Sequence, residues 1–372
     1  MSIGDHLQPT ERQYPMPALK GTKPLLITGG AGFIGCNLAD RLASEGEHVL
    51  VLDSLDRPGV ERNMEWLRAR HPERVTPIVA DVRSDGAANV IRDVSGVFHF
   101  AAQVAVTASL QEPMDDFDVN VRGTLALLDA ARGSTHRPPF VFASTNKVYG
   151  DLSDVALTAS RDAYTPVDEV TRQFGISEQR PLCFHTPYGC SKGAADQYVL
   201  DYARSFGLHT SVLRMSCVYG PHQLGTEDQG WVAHFLISAL DQRPITIYGD
   251  GHQVRDILHV DDAVEAYIRL FRRIDRHSGR AFNLGGGPEN AVSLRQVLRR
   301  IEDIQGRKLE VHFADWRPGD QRYYVSDVRA IQAALGLPPP RSYVRGIADL
   351  AGWLAQSRSP STSPIPVAEA HP

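Results

Sequence analysis

Tyr188 and Lys192 stand four residues apart behind Pro187, in the run TPYGCSKGAADQYVLDYARSF. Pro187 is a helix-start signal, and the pattern after it predicts a helix over 188–206. Side chains four apart on a helix share a face, so the phenol and the ammonium are neighbours. A phenol takes the proton of an alcohol near neutral pH only if its pKa falls from about 10 towards 7, a differential stabilisation of roughly 4 kcal/mol. A lysine ammonium one turn away supplies part of that. The pair therefore points to removal of a hydroxyl proton as hydride leaves the same carbon; the alternative is an exposed pair on a helix surface. Upstream, STNKVYG at 144–150 sets hydroxyls and amides behind a short apolar strand. Thr145 is the candidate to bridge Tyr188 and the substrate hydroxyl, or else it caps a turn. Asn146 either hydrogen-bonds the substrate or caps the same turn.

A departing hydride needs an acceptor, and PLLITGGAGFIGCNL at 24–38 offers a site for one. Residues 24–28 form a short apolar run, as expected of a strand buried on both faces of a parallel sheet. Gly29, Gly30 and Gly32 permit a tight turn and bring backbone close to a diphosphate, while Gly35 lets the following helix pack on the strand. The helix opens at Phe33 and Ile34, and the free N–H groups of its first turn face a pyrophosphate. A second strand over 47–52 ends at Asp53, 18 residues past Gly35, where an acidic side chain grips an adenosine ribose. Its carboxylate would accept from a free 2′-hydroxyl and repel a 2′-phosphate, so the expected cofactor is NAD. The oxidised nicotinamide adds positive charge beside Tyr188, and Lys192 can also hold the nicotinamide ribose. The alternative is a turn whose glycines serve packing alone.

Strands and helices then alternate. A helix over 62–70 leads to a strand over 74–79 ending at Asp81 and Val82, and a fourth strand over 96–100 runs into Ala101, Ala102 and Gln103. These small and polar residues lie where a cofactor crosses the carboxyl edge of such a sheet. A helix over 114–132 carries Asn120, either bonded to a neighbouring loop or standing beside the cofactor. A fifth strand over 140–143, an irregular stretch over 151–186 and a sixth strand over 210–215 complete an α/β, Rossmann-type doubly wound parallel sheet at 23–216. Beyond a polar loop at 219–230 the pattern loosens into a smaller mixed C-terminal substrate lobe, mainly 217–356. Its expected helices lie over 231–240, 262–273, 294–304, 328–335 and 344–354, and its strands over 245–248, 281–284 and 309–313. Residues 1–22 and 357–372 are polar and Pro/Ser-rich and read as disordered tails.

Composition sets the outer bounds. A net charge of -5 gives no basis for nucleic-acid binding, and no run approaches a membrane span or a secretion signal. Cys36, Cys183, Cys190 and Cys217 lack metal-ligand or CxxC spacing, so no metal is expected and reduced thiols in the cytoplasm are.

Together, TGGAGFIG, Asp53, Ser144-Thr145 and the Tyr188-to-Lys192 pentapeptide resemble the extended short-chain dehydrogenase/reductase family, whose NAD-dependent epimerases and dehydratases modify nucleotide sugars. The resemblance runs from about 23 to 354. It implies that GDGHQVRD at 249–256 and RPGD at 317–320 are sugar-nucleotide segments, with Arg255 and Arg317 on the diphosphate and Asp320 beside them. Guanidinium suits that task by bidentate bonding. DQGWV at 228–232 adds Gln229 to the substrate-binding set of Thr145, Asn146, Tyr188, Arg255, Arg317 and Asp320. Within the family the likeness is strongest to epimerases acting at C2 of a CDP-sugar, through QVAVTAS, STNKVYGDL, the run 184–208, DQGWV and GHQVRDILH. Such a reaction removes hydride from C2 to give a 2-keto sugar while Tyr188 takes the hydroxyl proton, then returns hydride to the other face. Asn146 and Lys147 occupy the positions where the family's 4,6-dehydratases carry an Asp-Glu pair, which disfavours elimination. Epimerisation at another carbon, a dehydrogenase or reductase, and a catalytically silent NAD sensor are the alternatives. The family commonly dimerises through the helices over 114–132 and 188–206, so a homodimer or homotetramer is expected.

Overall fold

The structure is a computed structural model, and it describes residues 23–358. Seven parallel strands form the main sheet, in the order Arg280–Leu284, Thr210–Met215, Phe140–Thr145, Gly96–His99, Leu25–Thr28, Val49–Asp53 and Val75–Val79. Alternation along the strands divides their side chains between two apolar layers. Leu25, Ile27, Val49 and Val51 face one layer, with Leu38 and Leu42 of the helix Phe33–Ser44 and Val264 and Ile268 of the helix Val260–Arg272. Leu26, Leu50 and Leu52 face the other, with Leu127 and Leu128 of the helix Thr124–Gly133 and Ala195 and Val199 of the helix Thr186–Phe206. The order of strands reverses beside Leu25–Thr28, so the crevice between the ends of that strand and Gly96–His99 is the expected place for a dinucleotide.

Several local expectations are corrected. The strand expected over 281–284 and the helix expected over 262–273 belong to the main sheet, not to the lobe: the strand forms the outer edge of that sheet and the helix packs on its core. Periodicity reports what each segment is, whereas the partner of a parallel strand is chosen across long stretches of chain. The helix expected over 114–132 is broken into Pro113–Phe117, a wide π-turn at Asp118–Gly123 and Thr124–Gly133. Thr124 Oγ1 donates back to the Asn120 carbonyl at 2.6 Å within that turn. The stretch 151–186 contains the hairpin Leu157–Ala159 with Tyr164–Pro166 and a helix, Glu169–Phe174, capped by Asp168 accepting from Thr171 N.

The lobe is built around Val254–His259, a wholly buried strand that pairs with Cys217–Tyr219, Ala291–Ser293 and Tyr323–Tyr324. The closing helix Tyr343–Arg358 extends two residues into the segment read as a tail; the expected tails at 1–22 and 359–372 lie outside the described residues. Among the described residues no helix is long and apolar enough to cross a membrane. No group of three or more His, Cys, Asp and Glu residues among them is placed to hold a metal ion.

Candidate active site

The glycine turn meets the requirement of close approach at each position for a different reason. A Cβ on Gly29, whose φ is +65°, would lie 2.6 Å from Ala101 N, and one on Gly35 would lie 2.4 Å from Gly29 O. These two allow backbone to pack on backbone. Gly32 begins the helix Phe33–Ser44, and a Cβ there would press only on Gly29. That helix has no side-chain cap and no acidic residue in its first turn, which leaves its opening N–H groups for an anion. Phe33 and Ile34 are partly buried against the core at this end.

Asp53 stands at the end of its strand and accepts from Ala31 N and Leu55 N, both at 3.0 Å, through different oxygens. Burial raises its pKa, opposed by these backbone donors, and the carboxylate retains acceptor capacity for ribose hydroxyls. Asp53→Asn is expected to weaken NAD binding by about tenfold, consistent with a charge-assisted hydrogen bond, while leaving the fold intact. Equilibrium dialysis against NAD checks this; an unchanged affinity would remove Asp53 from the site.

The residues after the fourth strand are held by a buried chain of hydrogen bonds. Thr28 Oγ1 lies 2.6 Å from His99 Nδ1, His99 Nε2 lies 2.9 Å from Thr124 Oγ1, and Thr124 donates to Asn120 O. Because the Thr124 hydroxyl proton is spent on Asn120, His99 donates from Nε2 and accepts at Nδ1. Burial, and then the charge of Lys192, lower the His99 pKa to about 3, so the ring stays neutral. Asn120 in turn accepts from Gln103 N at 3.0 Å and has Gln103 O at 3.1 Å, Asp116 Oδ1 at 3.1 Å and Ser191 Oγ at 3.0 Å around its amide nitrogen. Its side chain thus clamps the loop Ala101-Ala102-Gln103 to the Tyr188 helix, the first of its two sequence readings. It holds that loop in place, with its amide nitrogen engaged and one lone pair of Oδ1 in use. Gln103 Oε1, by contrast, is buried without a partner. Val82 packs in the core against Gly123, and Asp81 binds the Arg83 guanidinium at 2.9 Å.

Thr145 and Tyr188 are neighbours, and Lys192 is buried one turn further along the Tyr188 helix. Strand pairing extends to Thr145, two residues past the expected end of the fifth strand, with Ser144 and Thr145 aligned on Arg214 and Met215. Thr145 lies beside the Tyr188 phenol, donates to Asn146 Oδ1 at 3.3 Å and accepts from Lys147 N at 3.2 Å, so it caps the turn at the strand end. Tyr188 N donates to Ser109 Oγ at 3.2 Å. The Lys192 ammonium lies 4.1 Å over the Phe142 ring, and the residue is 3% exposed.

The electrostatic expectation for this pair is corrected. Burial pushes the Tyr188 phenol up to about 12, with Asp116 adding to the rise and Thr145 opposing it. Burial pushes Lys192 down to about 7 against the pull of Asp196 and Asp116. Helical spacing carries no account of hydration, and its loss dominates both groups.

Behind them is a buried network that sequence reading missed. Asp196, one turn past Lys192, accepts Arg214 through two bonds of 2.9 Å and Ser144 Oγ at 2.7 Å. Arg214 also donates to Tyr149 OH at 3.1 Å. The network fixes strand against helix and so holds Thr145 opposite Tyr188. An acidic residue four past the lysine was the available signal.

The sugar-segment candidates fall into two linked groups. Asn146 donates to Gln321 Oε1 at 3.0 Å, and Arg255 donates to Asp320 Oδ1 at 2.6 Å with Lys147 close by. Arg317 pairs with Asp228 at 3.2 Å, donates to Glu227 O and lies 3.8 Å over the Tyr248 ring. Gln229 Oε1 is buried near this second group's loop without a partner.

An uncapped helix start behind glycines, an acidic strand end and a Thr–Tyr–Lys cluster define a dinucleotide-dependent enzyme that moves hydride and a hydroxyl proton together. Residues 25–285 match the NAD dependent epimerase/dehydratase family, and the chain belongs to it. It is an NAD-dependent enzyme of the nucleotide-sugar epimerase class. A CDP-paratose 2-epimerase of Salmonella typhi is 39% identical over 345 residues, covering 88% of this chain and 98% of that relative. A dTDP-glucose 4,6-dehydratase of Streptomyces antibioticus is 33% identical over 349 residues, covering 90% and 93%. Among solved structures, the UDP-glucose 4-epimerase of Thermus thermophilus in complex with NAD superposes with a TM-score of 0.73 at 30% identity, covering 89% of this chain and 99% of that one.

Proposed function

We propose that the chain is a nucleotide-sugar 2-epimerase acting on a CDP-sugar, CDP-paratose or a close relative. The observation that carries this reading is the Thr145–Tyr188–Lys192 cluster next to Asn146 and Lys147. It is equipped for oxidation and reduction and lacks the carboxylates that elimination needs. The similarity to the Salmonella typhi enzyme favours C2 and cytosine.

NAD supplies a hydride acceptor for the first half-reaction and the donor for the second. Tyr188 takes the hydroxyl proton and later returns it, so both steps use one phenol. Thr145 holds phenol and sugar oxygen in line. Lys192 balances the phenolate and orients the cofactor ribose, while Gly32, the first turn at Phe33–Ile34–Gly35 and Asp53 hold the pyrophosphate and adenosine ribose. Arg255 and Arg317 bind the substrate diphosphate. No net redox change results, so the protein retains its cofactor between turnovers.

Apolar side chains on the helices flanking the site favour self-association. Met114 is 68% exposed and Leu110, Phe117 and Tyr198 are each close to half exposed, on helices suited to pairing with a second copy. The free thiols fit a cytoplasmic setting.

Protein purified without added cofactor is expected to absorb at 260 nm as a bound-NAD complex. In deuterated water the epimerised carbon should remain unlabelled. A panel of CDP-, UDP- and GDP-sugars followed by proton NMR identifies base and carbon. Inversion at C4 of a UDP-sugar would replace this reading by the activity named for the Thermus thermophilus structure, and full solvent label at the inverted carbon would exclude hydride return.

A further inference from the structure

Lys147 has no part in the reaction just described, yet it lies two residues from Thr145 with its side chain largely buried. Its amine donates to Gly319 O at 3.0 Å and lies 3.8 Å from Asp320 Oδ1. That same carboxylate oxygen accepts from Arg255 Nη2 at 2.6 Å, and Arg255 is 6% exposed. Two cations therefore share one carboxylate. The remaining groups do not restore the balance. The Cys217 thiol beside them is kept protonated by burial, and Asp151 is half-exposed and 3.5 Å from His185. A buried site holding two positive charges against one negative is short of an anion.

The loop that carries Asp320 also closes on the catalytic turn. Gln321 bonds Asn146 at 3.0 Å and Gly150 O at 2.6 Å, and a Cβ on Gly319 would lie 2.7 Å from Thr186 Cγ2, two residues before Tyr188. A change in the partner of Asp320 is thus made next to the reacting groups.

We propose that Lys147 and Arg255 form a two-cation seat for the substrate diphosphate, with Asp320 its internal stand-in, moving from Arg255 to Lys147 when the diphosphate arrives. This rests on the nucleotide-sugar reading above. A phosphate oxygen is a stronger bidentate partner for guanidinium than a shared carboxylate. The displaced Asp320 then has the Lys147 ammonium as its nearest cation. Burial holds that amine at a pKa of about 8, so a full partner raises it and binding takes up a proton near pH 8. Lys147 is in these terms a positioning and specificity residue, tuned to a charged diphosphate.

The test is calorimetric titration of the purified holoenzyme with CDP and with UDP at pH 8, in two buffers of different ionisation heat. Lys192 titrates in the same range, so the measure is the difference between the wild type and Lys147→Arg. The wild type is expected to take up about half a proton more than Lys147→Arg, which keeps its charge and should bind within about threefold of wild type. Lys147→Met should bind at least tenfold more weakly, and Asp320→Asn, which frees Arg255, should bind more tightly and lose the same uptake. Uptake in Lys147→Arg equal to wild type, or Lys147→Met binding within threefold, overturns the exchange while leaving the nucleotide-sugar reading in place. Failure of the wild type to bind either diphosphate overturns that reading, and this one with it.

Discussion

Tyr188→Phe is expected to lower turnover by about a thousandfold or more, with bound NAD unchanged, because general-base contributions of this kind are worth about 10²–10⁴ in rate. The substitution removes one oxygen from a residue that is 9% exposed and leaves the ring that fills the space. Tyr188 N still donates to Ser109 and the helix start is unaltered, so the fold has no reason to change. Thr145 keeps its bond from Lys147 N. The measurement is single-turnover reduction of bound NAD, read at 340 nm, beside the 260 nm absorbance of the purified variant. Reduction at the wild-type rate would show that another group takes the proton. The elevated phenol pKa makes a further demand: the rate should climb as pH rises from 6 to 8, because the phenolate is the minor form throughout that window.

Lys192→Met is expected to abolish useful activity and at the same time stabilise the protein. Lys192 titrates near 7 in the folded chain against 10.5 when unfolded. Above about pH 10.5 the amine is neutral in both states and its burial costs nothing electrostatic. As pH falls from there towards 7 the unfolded chain binds a proton that the folded chain does not, and the cost grows. Below 7 both states are charged and the cost is constant and largest. At about 1.4 kcal/mol per pKa unit it amounts to several kcal/mol at neutral pH. Methionine fills the same channel without a charge, while Asp196 keeps Arg214 as its partner. Denaturant unfolding of the wild type and variant between pH 6 and 11 should show a gain on the order of 2 kcal/mol or more at pH 6–7 that fades towards pH 10.5. A gain that does not vary with pH would mean packing, not charge, is responsible.

The parts of this site that were legible in the sequence are those written locally. The glycine turn, Asp53 at a strand end and a Tyr–Lys pair on one helical turn each follow from spacing within a few residues, and the structure places all of them at the carboxyl edge of the sheet. Lys147, Asp116 and the Asp196–Arg214 pair are not legible as site elements, because each acquires its meaning from a partner outside its own stretch of sequence, 18 residues away for Asp196 and 172 for Lys147. In the sequence Lys147 marks only the absence of a carboxylate. The broken helix around Asn120 has the same origin: its four hydrogen-bond partners come from the cofactor loop, its own turn and the Tyr188 helix. Nor can spacing report hydration, so the rise of the buried Tyr188 phenol is not visible in it. The sixth strand looked like the end of the sheet because one more strand, supplied after a long excursion, has no local mark of its destination.

That late strand governs how the chain can be made. During synthesis Thr210–Met215 emerges some seventy residues before Arg280–Leu284, and until then its outer row of backbone donors and acceptors has no partner. A nascent chain stalled or clipped in the lobe would present a sticky, six-residue ribbon to its neighbours on the polysome. The stretch of chain between the two strands therefore sets the interval during which that edge is open.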